Sequence, residues 1–312
     1  MRNIIEVTDL HKQFGDFTAV SNLSFHVEEG DVYGFLGQNG AGKSTTIRML
    51  LSLIKPVSGT ISLFGKNLET HRSELLSQTG AVIERPDLYK YLTAYENLHL
   101  FAKLSGKKVT KQEMMDTLEL VGLAHRANGR VHTFSQGMKQ RLGIAIALVH
   151  DPPLVILDEP TNGLDPQGIA DIRNLILRLS RERKKTVLVS SHLLSEIERI
   201  ATRMIIIHEG KKMVEGSVRE LLDPEKNIVE ITVHHVENTH ALLRNTTQWA
   251  SVVQPISGNA VKLQLHPDKV PQLNAFLVEN QVQVLAISSR NSLEDYFLSL
   301  TNTRSHVADI TT

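Results

Sequence analysis

The chain has 312 residues, 41% of them hydrophobic and 22% charged, enough for one domain with a large core and a second, smaller one. Lysine plus arginine and aspartate plus glutamate balance at 34 each, so no strong field singles out nucleic acid or an anionic membrane as the main partner. The absence of cysteine excludes a disulfide framework and fits a cytoplasmic protein.

The N-terminal stretch MRNIIEVTDLHKQFGDF mixes charge with short apolar runs and lacks the order of a secretory signal. IIEVTDL and FTAVSNLSFHV read as strands separated by Gly15-Asp16 and closed by Glu28-Glu29-Gly30, an antiparallel β start. DVYGFLG is an apolar strand running into a glycine-rich loop, and KSTTIRMLLSLI follows with helical periodicity that predicts a helix up to Lys55-Pro56. From Pro86 to about Val149 the periodicity is mostly helical, an expected inserted helical subdomain. PLVILDEP, TVLVSSH and RMIIIHEG are then three apolar runs of strand length, with helical DIRNLILRLSRER and LLSEIERI between them. This alternation predicts a buried parallel sheet.

The polar segment Leu222-Asp223-Pro224-Glu225-Lys226-Asn227 reads as a linker. Beyond it IVEITVHHV, HALLRNTTQWA, VKLQLH, VPQLNAFLVEN and VQVLAISSR predict a small α+β unit. SLEDYFLSLT predicts a closing amphipathic helix, with Ser292 and Asp295 as its capping box. Trp249, the only tryptophan, is expected in the core. His234 and His235 fall on a predicted strand, where neighbours face opposite sides, so joint metal ligation is not expected. The longest apolar stretches, such as Leu142 to Val149 and Met204 to Ile207, fall far short of the roughly 20 residues that cross a bilayer. Any membrane role is expected to be peripheral.

Gly37-Gln38-Asn39-Gly40-Ala41-Gly42-Lys43-Ser44 fits GxxxxGK[ST] between a strand and a helix. Glycines let the backbone fold tightly so that successive N–H groups face phosphate oxygens, and the helix adds its positive end. Lys43 is expected at the β and γ phosphates, Ser44 on Mg²⁺ and Thr45 on a phosphate. Further on, Leu154-Val155-Ile156-Leu157-Asp158-Glu159 is an apolar strand ending in two carboxylates. Crowded acids at a sheet edge call for a cation, so Asp158 is expected to hold the metal through water and Glu159 to act as general base.

Thr133-Phe134-Ser135-Gln136-Gly137-Met138-Lys139-Gln140-Arg141 resembles the signature of the ATP-binding cassette family, departing from its LSGGQ pattern at Phe134, Gln136 and Met138. By itself Ser-x-Gly before a helix is also a common cap. The resemblance extends over about residues 3 to 220. It implies that Ser135 and Gly137 contact the γ-phosphate bound to an opposite subunit, that Asn162-Gly163-Leu164-Asp165 lines that interface, and that His192 is the switch histidine. Phe14 matches the aromatic that stacks on adenine, with Phe17 or simple core packing as alternatives. Glu84 stands where the family usually places a glutamine that senses Mg²⁺ and the membrane partner. That replacement resembles the bacitracin-resistance and lantibiotic-immunity branch of exporter ATPases, with an ordinary surface acid as the lesser alternative for Glu84.

The resemblance thus implies an α/β P-loop NTPase cassette: a parallel sheet core with an antiparallel β subdomain and an inserted helical subdomain. The cassette spans 1–222, with the helical part at about 86–149, followed by an α+β accessory domain at 228–312. It further implies a head-to-tail homodimer, or a heterodimer with a related ATPase, using ATP and Mg²⁺ and attached to an integral-membrane permease subunit at the cytoplasmic face of the membrane. Antimicrobial peptide export is the leading expectation for the cargo, and no nucleic acid is expected. A soluble cassette ATPase acting on ribosomes or DNA would bring two cassettes or a long coiled-coil insertion in one chain. A small-molecule kinase would leave the Ser135 and Gly137 motif unexplained.

Overall fold

The computed structural model of the chain describes residues 2–221, 227–255 and 260–291, which fall into two units dividing between Ser217 and Val218. The expected linker residues 222–226 and the closing segment with Ser292 and Asp295 lie outside the described residues.

In the first unit, β1 (Asn3–Phe14) and β2 (Phe17–Glu28) reverse at Gly15-Asp16 and pair antiparallel, as the alternation of Leu23, Phe25 and Val27 with polar neighbours predicts. Two strands absent from the sequence reading, β3 (Ser58–Leu63) and β4 (Lys66–Asn67), extend this sheet in the order β2-β1-β3-β4. A second sheet holds the parallel strands β5 (Val32–Leu36), β6 (Thr79–Val82), β7 (Leu154–Leu157), β8 (Thr186–Ser191) and β9 (Arg203–His208), with β10 (Lys211–Ser217) antiparallel on the β9 edge. Its order is β10-β9-β5-β8-β7-β6, so the chain's crossovers place β8 between β5 and β7. Every residue of β5, β7 and β8 is buried, as in strands covered on both faces.

Seven α-helices lie among the described residues of this unit: α1 (Lys43–Leu50), α2 (Arg72–Leu76), α3 (Ala94–Leu104), α4 (Lys111–Leu120), α5 (Gln136–Leu148), α6 (Pro166–Arg181) and α7 (Leu194–Ile197). Two of them are shorter than expected. The apolar periodicity of α1 runs on to Ile54, but the helix stops at Leu50 because Ser52 turns left-handed at φ 52°. Leu53 N–H then bonds Arg48 C=O at 2.9 Å and Ser52 N–H bonds Met49 C=O at 2.9 Å, the pairing that satisfies the last carbonyls of a helix. Likewise only Leu194–Ile197 of LLSEIERI is α-helical. Helices α3 and α4 each start on a reciprocal capping box, Thr93 with Glu96 and Thr110 with Glu113.

In the second unit, α8 (Val218–Leu221) precedes an antiparallel sheet of β11 (Asn227–Val233), β12 (Ala260–Gln264) and β13 (Val284–Asn291), ordered β12-β11-β13. Helices α9 (Val236–Arg244) and α10 (Val270–Glu279) complete it. Alternate residues Val229, Ile231 and Val233 of β11 enter a core with Leu243, Leu273, Leu277 and Trp249, which is 1% exposed as expected of a core residue. His234 and His235 correct the sequence reading, since β11 ends at Val233 and both are exposed just beyond it. Among the described residues no cluster of three or more His, Asp or Glu could hold a metal.

The Thr110 backbone N–H and hydroxyl hold the Glu113 carboxyl below its ordinary range. A depressed carboxyl contributes stability above its unfolded pKa and loses that contribution as pH falls through the folded value. We expect Thr110→Ala, which removes the capping hydroxyl, to lower the stability of the first unit at neutral pH in urea melts. The gap to the parent should narrow as the medium is acidified through the carboxylate range.

Candidate functional site

Because β5, β8, β7 and β6 are parallel neighbours, their carboxyl ends emerge side by side along one edge of the sheet. Ligands of open α/β sheets bind at that edge. The end of β5 delivers Gly37 to Ser44, the end of β8 Ser190 to His192, the end of β7 Asp158 and Glu159, and the segment after β6 Glu84.

The loop after β5 folds back tightly. Gly42 adopts φ 103°, and a Cβ there would lie 2.5 Å from the Ala19 carbonyl oxygen, so no other residue fits without displacing backbone. Asn39 and Gly40 are exposed, Gln38 half-buried, and Gly37, Ala41 and Gly42 buried. Lys43 opens α1, followed by half-buried Ser44 and Thr45. The N–H groups of a helix's first turn have no acceptors within the helix, so this end of α1 offers donors to an anion.

Lys43 is 5% exposed and Glu159 15%. The Lys43 ammonium donates to the carbonyls of Gly37 at 2.6 Å and Gln38 at 3.1 Å, and stands 3.1 Å from Glu159 Oε1. That last approach is Coulombic, without hydrogen-bond alignment. The other Glu159 oxygen, Oε2, lies 2.8 Å from His192 Nδ1. Glu159 itself sits at φ 47°, a left-handed conformation costly for a residue with a Cβ.

Asp158 is fully buried, and its two oxygens differ. Oδ1 accepts from the Ser190 hydroxyl at 2.6 Å, whereas Oδ2 is buried with no hydrogen-bond partner. An orphaned carboxylate oxygen at the carboxyl edge of a sheet suits a cation or a cation-bound water.

Glu84 is exposed at φ 54° and forms an ion pair with Arg48 of α1 at 2.5 Å. It lines one cleft with Ser44, Glu159, Gln136, Gln140 and Asn162. The segment carrying it is fixed on α5 by Gly143: a Cβ there would meet Pro86 Cβ at 2.5 Å.

Ser135 caps α5, accepting the Met138 N–H at 3.2 Å, and Asp165 caps α6, accepting the Gly168 N–H at 3.0 Å. With Gly137 they line an adjoining cleft, and both capping side chains are exposed. The cap reading of Ser135 is therefore correct, and it leaves the rest of the hydroxyl facing outward. Phe14 and Phe17 pair across the β1–β2 hairpin end at 49% and 61% exposure, so neither packs in the core. Lys12 Nζ lies 4.9 Å from the centre of the Phe14 ring.

The structure thus joins Lys43 and His192 to Glu159 directly and Asp158 to it through Ser190, places Glu84 in the same cleft, and sets Ser135, Gly137 and Asp165 together beside it. Sequence reasoning passed over Ser190, Ser191, Glu196 and Arg48. Ser191 and Thr161 both donate to Glu196 Oε2, at 3.0 and 2.7 Å, tying the loop after Glu159 to the segment after β8. The only sequence signal for any of these was the pair of hydroxyls immediately before His192.

This edge defines a P-loop nucleotide hydrolase. The ABC transporter family profile matches residues 20–162. Over 302 residues, 96% of this chain and 98% of the relative, the sequence is 45% identical to the bacitracin transport ATP-binding protein BcrA of Bacillus licheniformis. It is 42% identical over 228 residues, 73% of this chain and 95% of the relative, to the lantibiotic transport ATP-binding protein SrtF of Streptococcus pyogenes. Among solved structures, a dimeric ATP-binding cassette in a post-hydrolysis state with ADP and Pi superposes with a TM-score of 0.63 at 25% identity, covering 69% of this chain and 99% of that one. The chain belongs to the ATP-binding subunits of ABC transporters, and it is an ATPase.

Lys43→Ala removes the buried cation beside Glu159 and the donor expected at the phosphates. We expect ATP affinity to fall by about 3 kcal/mol, roughly 100-fold, in equilibrium binding of a fluorescent nucleotide.

Proposed function

We propose that the chain is the motor of an exporter for antimicrobial peptides, working through a separate permease at the cytoplasmic face of the membrane. The full-length likeness to a bacitracin transport ATP-binding protein carries this reading of the cargo, and the likeness to a lantibiotic transport protein supports it. No described helix is long and apolar enough to cross a membrane, and we assign the spanning part to the permease. We take 1–222 as the cassette, with its helical subdomain at about 86–149, and 228–312 as an accessory domain. The segment from Glu84 to Tyr95, with Tyr89 and Tyr91 exposed, is the surface offered to the permease.

In this mechanism the backbone of Gly37 to Gly42, with Lys43 and Thr45, cradles the ATP phosphates, and Phe14 stacks on the adenine. Ser44 and Asp158 would hold Mg²⁺, with Glu84 close enough in the same cleft to tune it, and the unpartnered Asp158 Oδ2 fits that task. Mg²⁺ held by these residues would supply charge neutralisation at the β and γ phosphates. Glu159 takes the proton of the attacking water, and His192, bonded to Glu159 Oε2, orients that carboxylate and reaches the γ-phosphate.

Two copies close head to tail, homodimeric or paired with a related ATPase. Outward-facing Ser135, Gly137 and Asp165 of one copy then complete the nucleotide site of the other. Nucleotide favours closure only through contacts better made in the closed state, and those three residues supply them.

Glu159→Gln should bind ATP, hydrolyse it at least about 100-fold more slowly and accumulate as a dimer in size-exclusion chromatography with ATP. Normal turnover would remove Glu159 as the base. Purified from gently solubilised cells with ATP, the same variant should carry a polytopic membrane protein in stoichiometric amount. Ribosomal or DNA-repair proteins in its place would overturn the transport reading. Glu84→Gln should keep its ATPase activity but shift its Mg²⁺ titration or its coupling to transport, and unchanged values for both would make Glu84 a bystander.

A further inference from the structure

We infer that Ser190 is a positioning residue for ATP hydrolysis: its hydroxyl holds the metal-side carboxylate and the backbone of the general base in one fixed arrangement. The inference rests on the roles given above to Asp158 and Glu159.

A serine hydroxyl has one proton to give and lone pairs to receive. At Ser190 the proton goes to Asp158 Oδ1 at 2.6 Å, and the oxygen accepts the Glu159 N–H at 2.8 Å. The residue is fully buried at the end of β8, so water cannot substitute for either bond. The first bond occupies Oδ1 and leaves Oδ2 as the oxygen presented to a metal or its water. The second pins the peptide entering Glu159, whose left-handed φ of 47° sets the direction of its side chain toward Lys43 and His192.

The neighbouring hydroxyl does a different task. Ser191 donates to Glu196 Oε2 at 3.0 Å and accepts the Leu193 N–H at 3.0 Å, so it shapes the turn after β8 and touches neither carboxylate of the pair. The division follows from register: Leu157 lies opposite Val189 in the β7–β8 ladder, so the next residue on each strand, Asp158 and Ser190, come abreast. A shift of one residue would turn the hydroxyl to the other face.

The experiment compares the full-length parent with Ser190→Ala, Ser190→Thr and Glu159→Gln. It reads kcat and KM for ATP, the Mg²⁺ concentration that half-saturates binding of a non-hydrolysable ATP analogue, and binding of that analogue without Mg²⁺. All are measured on protein shown to be folded by circular dichroism. Loss of an outer-shell partner of a metal-side carboxylate predicts a kcat about 10- to 100-fold lower in Ser190→Ala. KM and metal-free binding should stay within about twofold, the Mg²⁺ half-saturation should rise several-fold, and Ser190→Thr should recover most of the kcat.

A kcat for Ser190→Ala within about twofold of the parent, while Glu159→Gln is inactive, would overturn this inference and leave the base assignment standing. So would a fall in kcat matched by an equal fall in metal-free binding, because a general loss of structure would then explain it. Normal hydrolysis by Glu159→Gln would overturn both.

Discussion

The chemistry of this chain depends on the parallel ladder that seats β8 between β5 and β7. Leu36 is paired with Ser191, and Gly37 N–H bonds the Ser191 carbonyl at 3.2 Å, so the glycine-rich loop starts beside His192. On the other side Leu157 is paired with Val189, bringing Asp158 beside Ser190. Parallel strands run their carboxyl ends to one edge, and in this register a one-residue slip would reverse every side chain, moving Asp158 and Ser190 apart. Loops from three distant stretches of chain are thereby held within hydrogen-bond distance of one another.

Crowding charge at that edge has a cost, and the structure meets it locally. Asp158 loses all contact with solvent, and the Ser190 hydroxyl compensates one of its oxygens. Glu159 faces a buried ammonium on one oxygen and an imidazole on the other. Its left-handed backbone stores roughly 1–2 kcal/mol of strain, which the surrounding bonds must outweigh. Strain of this kind persists where a side chain has to be aimed, and here it aims the carboxylate into the cleft shared with Ser44.

The outer residues obey a different logic. Ser135 and Asp165 each satisfy an orphan N–H at the start of a helix, which is reason enough for their presence in a single chain. Their exposure lets the same groups face a second copy. In the proposed head-to-tail dimer one side chain thus serves local stability and assembly at once, and within a single chain the signature motif is an ordinary cap.

The contiguous features were legible in the sequence. Strand, glycine-rich loop and helix around Lys43, the apolar run ending in Asp158 and Glu159, and the helix start at Ser135 each lie within a short stretch, where periodicity and turn chemistry act over a few residues. The α/β class followed from the same patterns. Where local reading failed, a competing local bond had won: the apolar period of α1 continued past Leu50, but the left-handed turn at Ser52 closed the helix first. Only the tertiary structure decided that Arg48 meets Glu84, that Glu196 collects Ser191 and Thr161, and that Ser190 rather than Ser191 joins Asp158 to Glu159. Those partners are distant in the chain and carry no periodic signal. They meet because of strand order and register, which are properties of the whole sheet, settled by burying both its faces at once.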